Sequence, residues 1–324
     1  MVNTILQIDN AYLQDLWDST WLLFIYLVIC IALLIVGRLT HGFAFLHERK
    51  TKEGIPSLDQ TNDSVECASI KLNEKQKKAI TEYKISNCQG IGKRQEQQDA
   101  FGFSPMTTWE KEGFFAVLCD GMGGLDSGAV IANSLVTATL ADDARPAFTN
   151  PKLIPTKLEE MTAKIYQQYL ARGGATMVTC YVHDDKLVFS SVGDSDLFLL
   201  RDGRLYAMNE RQEYGNSLML KAAKCMITID VALEDEDAPA LVHFMGAEKV
   251  VSDYSHVPFP VRNGDVYLMC SDGISDSLSG DELREAMLAG TERCCEILEK
   301  MIHEKNLSYQ DNYTAIAFEM IHLY

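Results

Sequence analysis

The sequence contains no Cys-x-x-Cys pair and no His-x-x-x-His spacing, and its nine cysteines (30, 67, 88, 119, 180, 225, 270, 294 and 295) are odd in number. These absences argue against a disulfide framework and against a zinc site. The cysteines read instead as reduced core residues, with Cys294-Cys295 a neighbouring pair on a helix. Basic residues are scarce, and the net charge is −17. Residues 1–52 carry four basic and four acidic side chains, so the deficit lies in 53–324, with 25 basic against 42 acidic. Such a domain is a poor partner for a phosphate backbone, and no nucleic acid is expected as a ligand. Gly92-Lys93 lacks the glycine five residues upstream that a P-loop needs, because residue 87 is Asn. Gly121-Met-Gly-Gly likewise fails the dinucleotide fingerprint, because residue 126 is Asp. There are no repeats and no low-complexity tract.

What is present begins with Thr20–Gly37, which is 18 residues without a charge. As a helix it would span about 27 Å, close to the hydrocarbon thickness of a bilayer. Trp17, Trp21 and Tyr26 suit one interface, and Arg38, Arg49, Lys50 and Lys52 follow the span. This asymmetry predicts a single-pass anchor with its C-terminal side in the cytoplasm and a short exterior N-terminus. The expected organisation is an exterior segment over 1–19, a transmembrane helix over 20–37 in contact with membrane lipid, a juxtamembrane linker over 38–80, and a catalytic domain over 81–324. Within that domain, apolar strands alternate with turn dipeptides. Asp184-Asp185, Asp202-Gly203 and Asn263-Gly264 each sit beside a strand pattern. Helical stretches over 127–141, 155–171, 280–289 and 292–305 lie between the strands. Antiparallel hairpins with separate helices predict an α+β fold with two packed sheets.

The chain is organised around Val117–Gly124, an apolar strand that ends in Asp120 and a glycine-rich turn. A carboxylate at a strand end beside such a turn is a good ligand for a hard cation, and the Gly121 carbonyl is a second oxygen. Four other acidic turns border apolar strands: Gln98-Asp99, Gly193-Asp194-Ser195, Ser271-Asp272-Gly273 with Asp276, and Asp311-Asn312. Neighbouring carboxylates repel one another unless a cation neutralises them. Oxygen-only donors select Mg²⁺ or Mn²⁺. Two such ions about 4 Å apart can activate a water and stabilise an in-line phosphoryl displacement. Arg94 could hold a phosphate through a bidentate fork.

Taken in order, Arg94-Gln-Glu-Gln-Gln-Asp99, Asp120-Gly-Met-Gly-Gly124, Gly174-Ala-Thr176, Gly193-Asp-Ser195, Ser271-Asp-Gly-Ile-Ser-Asp276 and Asp311-Asn312 resemble the metal-dependent protein phosphatases of the 2C type, in their bacterial form. The resemblance covers roughly residues 81–324. It implies a four-layer α-β-β-α sandwich and a two-metal centre that hydrolyses phosphoserine or phosphothreonine in proteins phosphorylated by a cognate kinase. Asp120 would bridge two ions with the Gly121 carbonyl on one, and Asp272 and Asp311 would complete the set. Asp99 would orient the attacking water, and Arg94 would bind the phosphoryl group. Asp194 and Asp276 match positions that hold a third, weaker ion in many members, so two Mg²⁺ or Mn²⁺ ions, or three, are expected. Several positions depart from the family pattern. Met122 replaces the histidine of the animal enzymes and cannot donate a proton. Gln98 replaces a Glu, as in many bacterial members, and Gln97 replaces the usual Asn. Asp196 stands where Gly-Asp-Ser is normally followed by Arg, and Asn209–Gly215 replaces an Asp-His-Ser stretch. Asp196, Gln97 and the missing Asp-His-Ser stretch open an alternative, a catalytically inactive relative that acts as a membrane-tethered phosphoprotein- or metal-binding module.

Overall fold

The computed structural model describes residues 80–122, 127–170 and 172–323. The segments 1–19, 20–37 and 38–79, with the expected exterior segment, membrane span and linker, lie outside the described residues, as do Gly123 and Gly124. Among the described residues no helix is long and apolar enough to cross a membrane.

Eleven strands and nine helices are described. The strands are β1 (Ile80–Gly90), β2 (Asp99–Phe103), β3 (Phe114–Asp120), β4 (Met177–His183), β5 (Lys186–Val192), β6 (Asp196–Arg201), β7 (Arg204–Ala207), β8 (Asp253–Tyr254), β9 (Phe259–Pro260), β10 (Val266–Cys270) and β11 (Tyr313–Leu323). The helices are α1 (Trp109–Glu112), α2 (Gly128–Leu140), α3 (Arg145–Phe148), α4 (Ile154–Tyr169), α5 (Tyr214–Ala223), α6 (Ile229–Leu233), α7 (Asp272–Ser275), α8 (Gly280–Leu288) and α9 (Thr291–Lys305). One sheet runs β1-β11-β10-β6-β7 and the other β2-β3-β4-β5-β8, with β9 also paired to β5. Every strand pair is antiparallel.

The period-2 alternation of side chains explains the layering. Along β3, Phe114, Ala116 and Leu118 face one way, into an apolar core shared with Leu197, Tyr267, Met269, Ile316 and Phe318 of the opposite sheet. Phe115, Val117 and Cys119 face the other way, against Ile131 and Leu135 of α2 and Leu158 of α4. The other sheet repeats the scheme. Leu268, Cys270, Ala315 and Ala317 turn outward onto Leu283 of α8 and Cys294, Cys295 and Leu298 of α9. Strands buried on both faces must be apolar throughout, which is why β3 and β10 read as continuous hydrophobic runs. Three cores thus separate helices, sheet, sheet and helices.

The turns carry the chemistry their residues suggest. Asp184 and Asp185 both have positive φ (48° and 57°), as do Asp202 and Gly203 (53° and 71°). These are the values of two-residue hairpin loops, whose twist matches the flanking strands. The cysteines 88, 119, 180, 270, 294 and 295 are free and buried, whereas Cys225 is exposed, in the loop after α5. Two helices, α5 and α6, were not expected and occupy the long connection between β7 and β8.

Phe114 is 1% exposed and packs edge-on to Trp109 and against Phe318, with ring centroids 5.2 Å and 4.9 Å away. Phe114→Ala should cost about 3–5 kcal/mol, because the two sheets cannot close over the cavity. Chemical denaturation checks this, and a loss below about 1 kcal/mol would mean that the inter-sheet core repacks freely.

Candidate active site

The site forms where ends of strands from both sheets meet. In the β2–β3 ladder Asp99 lies directly opposite Asp120, so two carboxylates share one face of the sheet at its end. Across the inter-sheet gap, β10 ends at Cys270 and the chain turns through Ser271 into α7, which begins with Asp272. Next to it, Asp311 and Asn312 precede β11.

Asp99 is 3% exposed and held from both sheets. Ser271 Oγ and Thr314 Oγ1 each donate to its Oδ2 at 2.8 Å. Gln97 Oε1 accepts from its backbone amide at 3.0 Å, and Gln89 Nε2 donates to its carbonyl at 3.1 Å. Asn312 fastens the neighbouring loops. Its Nδ2 donates to the carbonyls of Ile91 and Glu96 at 2.9 and 3.0 Å, and its Oδ1 accepts from the Gln98 amide at 2.8 Å. Thr176 Oγ1 accepts from the Asp120 amide at 2.9 Å and shares a 2.7 Å hydrogen bond with Ser195 Oγ.

Two glycines are dictated by close approach. A Cβ on Gly121 would stand 2.6 Å from the backbone of Gly128 and 2.7 Å from the Gln98 carbonyl. A Cβ on Gly273 would stand 1.9 Å from the Asn312 carbonyl. The main chain beside Asp120 and beside Asp272 therefore packs directly on its neighbours, which fixes where each carboxylate starts.

Electrostatics mark the cluster as incomplete. Burial, followed by repulsion from Asp99 and Asp272, pushes the Asp120 carboxyl well above the usual range. Asp120 and Asp272 also stand within hydrogen-bond reach of each other. Asp99 is pushed up to about 6, mainly by burial, and Asp194 up to about 7 by burial and the charge of Asp272. Asp99 Oδ1 and Asp272 Oδ1 are buried with no hydrogen-bond partner. Among the described residues no three His, Cys, Asp or Glu side chains converge closely enough to chelate an ion as they stand. Asp311 is drawn aside by an ion pair with Arg94, and Asp276 by one with Arg211. Orphaned carboxylate oxygens beside mutually repelling carboxylates are nonetheless the donor set that a hard divalent cation satisfies. On the Asp120–Asp272 side the residues present fit such ions.

Of the residues expected from the sequence, Asp99, Asp120, Gly121 and Asp272 lie together, with Asp311 and Arg94 on the rim. Arg94 is half-exposed, and the charges of Asp311, Asp272 and Asp120 all favour its cationic form. Asp194 is 9% exposed and close enough to feel Asp272. Asp276 lies near enough to Asp272 for its charge to raise that carboxyl, but is paired with Arg211. Met122 donates its amide to the Gly174 carbonyl at 3.0 Å, and its side chain supplies no proton. The sequence reading did not assign Arg211, Gln89, Ser271 or Thr314. A buried Asp at 196 was the available signal for Arg211, because a buried carboxylate needs a cationic partner.

Asp99→Asn removes one buried negative charge, and its effect has a definite sign. The folded-state pKa lies above the ordinary value near 3.8, so the folded chain holds its proton more tightly, and stability falls as pH rises from there through about 6. In EDTA at pH 7.5 the variant should melt several degrees above the parent, from relief of about 2–3 kcal/mol. Near pH 4 the gain should vanish. An unchanged or lower melting temperature at pH 7.5 would contradict the charge reading.

Comparison with known proteins agrees with this geometry. A family profile described as Protein phosphatase 2C matches residues 90–310. The serine/threonine protein phosphatase PstP of Mycobacterium tuberculosis is 29% identical over 177 residues, 52% of this chain and 33% of that protein. The chain thus matches about a third of the length of that relative. The serine/threonine phosphatase stp of Listeria monocytogenes is 26% identical over 217 residues, covering 63% of this chain and 83% of that one. Among solved structures, the S. agalactiae serine/threonine phosphatase aligns with a TM-score of 0.63 at 22% identity, over 73% of this chain and 99% of that chain. The catalytic domain of PstP in complex with two manganese ions aligns with a TM-score of 0.59 at 21% identity, over 75% of this chain and 100% of that one. These two likenesses speak for the fold, and the profile, which spans more than half of the chain, speaks for the family. The chain belongs to the protein phosphatase 2C family.

Proposed function

We propose that this chain is a Mg²⁺- or Mn²⁺-dependent protein serine/threonine phosphatase. The observation that carries the reading is the pair of orphaned, buried carboxylate oxygens, on Asp99 and Asp272, beside Asp120. When bound by Asp120, the Gly121 carbonyl, Asp272 and Asp311, two divalent ions would supply a water of lowered pKa and neutralise charge on the phosphoryl oxygens.

The chain's own residues do the rest. Asp99 is fixed through Oδ2 by Ser271 and Thr314, which leaves Oδ1 to accept a proton from an attacking water and hold its lone pair toward phosphorus. Arg94, on the exposed rim, exchanges its carboxylate partner Asp311 for two phosphoryl oxygens, for which its planar fork is suited. That exchange also frees Asp311 for the metal side. No phosphoenzyme is required, because water and not a side chain attacks. Met122 contributes no proton to the leaving alkoxide, so that proton comes from solvent.

The substrates would be phosphoproteins of a cognate serine/threonine kinase. The 18 uncharged residues over 20–37 and the basic residues after them support a single-pass anchor in the cell membrane with the catalytic domain in the cytoplasm. The alternative of an inactive binding module rests on Asp196, Gln97 and the missing Asp-His-Ser stretch. Its support weakens, because the Asp196 carboxylate is paired with Arg211 and the strand it begins is intact.

Hydrolysis of a phosphothreonine peptide should require Mn²⁺ and stop in EDTA. Asp272→Asn should lower kcat/KM on the order of 100-fold or more, beyond what loss of an outer-shell partner costs. Metal-independent turnover, or full activity in Asp272→Asn, would contradict the reading.

A further inference from the structure

The residue that departs furthest from the sequence-based expectation is Arg211. Its guanidinium is half-buried and donates from four of its N–H groups. Nε donates to both oxygens of Asp196 at 3.2 Å, Nη1 to Glu213 Oε1 at 3.0 Å and to Asp276 Oδ1 at 2.9 Å, and Nη2 to Ser275 Oγ at 2.9 Å. One permanent cation therefore joins the start of β6 to the end of α7, the short helix that begins with Asp272.

The guanidinium does not swing freely. Asn209 Oδ1 accepts from the Leu197 amide at 2.7 Å, and its Nδ2 donates to the Ser195 carbonyl and Ser191 Oγ, both at 2.9 Å. Gln212 closes a reciprocal pair with Gly193: its amide donates to the Gly193 carbonyl, and its Oε1 accepts from the Gly193 amide, both at 2.9 Å. Residues 209–213 thus clasp the Gly193–Asp196 turn from which Asp194 projects. The charge of Arg211 also favours the ionised forms of Asp194 and Asp272.

A divalent ion on Asp276 would have to break a charge-assisted hydrogen bond and then sit beside a fixed guanidinium. Two cations that close repel each other, and the guanidinium cannot withdraw as an ion enters, because Asp196, Glu213 and Ser275 also hold it. The expected third ion therefore does not fit this chain, although ions on the Asp120–Asp272 side do. We infer that Arg211 is a positioning residue that takes the place of a divalent cation on the Asp194–Asp276 side of the cluster, so that this chain binds two ions where three carboxylate-lined positions were expected. The inference rests on the two-ion reading above and concerns its count and its rim.

Counting bound metal tests this with a readout that a merely structural role would not move. Equilibrium dialysis of the full chain against Mn²⁺, with metal analysis, should give two equivalents for the parent and for Arg211→Lys. Arg211→Met should take up a third, weaker equivalent, and adding Asp276→Asn to it should remove that equivalent. If Arg211→Met fails to fold, Asp196→Asn with Arg211→Gln replaces the buried ion pair by an amide pair and should also bind three. Three equivalents in the parent would overturn the inference while leaving the phosphatase reading intact. So would two equivalents in every folded variant that lacks Arg211. A parent that binds no Mn²⁺ at all would overturn both.

Discussion

Repulsion between buried carboxylates is the constraint on which this structure turns. Asp99 and Asp120 face each other across two hydrogen-bonded strands, and Asp272 reaches the same place from the other sheet. Left alone, such groups separate or take up protons, since burial and then their neighbours' charges raise the pKa of each. They stay together because the elements that carry them cannot move. β2 and β3 are tied into a sheet whose two faces are both buried, and β10 is packed between β6 and β11. The three apolar cores offset a local penalty that the acidic cluster could not sustain by itself.

The cluster is divided into two parts that are neutralised differently. On one side, buried oxygens of Asp99 and Asp272 lack partners within the described residues. On the other, Arg211 gathers Asp196, Glu213 and Asp276 around a cation built into the chain. The second arrangement gives a structural reason for two irregularities at once. An Asp that begins β6 and an arginine in the segment after β7 are each unusual alone, and together they form one buried ion pair. A buried pair of this kind contributes little net stability, but breaking it by removing one partner leaves an uncompensated charge. Its value here lies in geometry, because it links the turn that carries Asp194 to the helix that begins with Asp272.

Much of this was legible in the sequence, and the rest was not for identifiable reasons. The apolar run before Asp120 marked β3, and the strand patterns beside the Asp-Asp, Asp-Gly and Asn-Gly dipeptides marked the β4–β5 and β6–β7 hairpins and β10, because both signals are local. The acidic turns announced their carboxylates for the same reason. Which strands become neighbours was not local: β1 pairs with β11, with Tyr83 opposite Met320, and β10 lies between β11 and β6. The hydroxyls of Ser271 and Thr314 serve Asp99 only after that long-range pairing is made. Arg211 was hidden likewise, since all its partners but Glu213 lie 15 or about 65 residues away. Helices α5 and α6 escaped notice because they bury few side chains, Leu218 and Ala232 alone being fully covered. Their apolar residues therefore do not trace a clear helical stripe.

The central claim is that the Asp99–Asp120–Asp272 cluster is a divalent-cation centre. The most direct test is anomalous diffraction from crystals of the protein soaked in Mn²⁺. The account predicts manganese peaks among Asp120, the Gly121 carbonyl, Asp272 and Asp311, with Arg94 released from Asp311 and Arg211 still on Asp276. No manganese at these carboxylates in a folded crystal, or manganese only on unrelated surface acids, would contradict it.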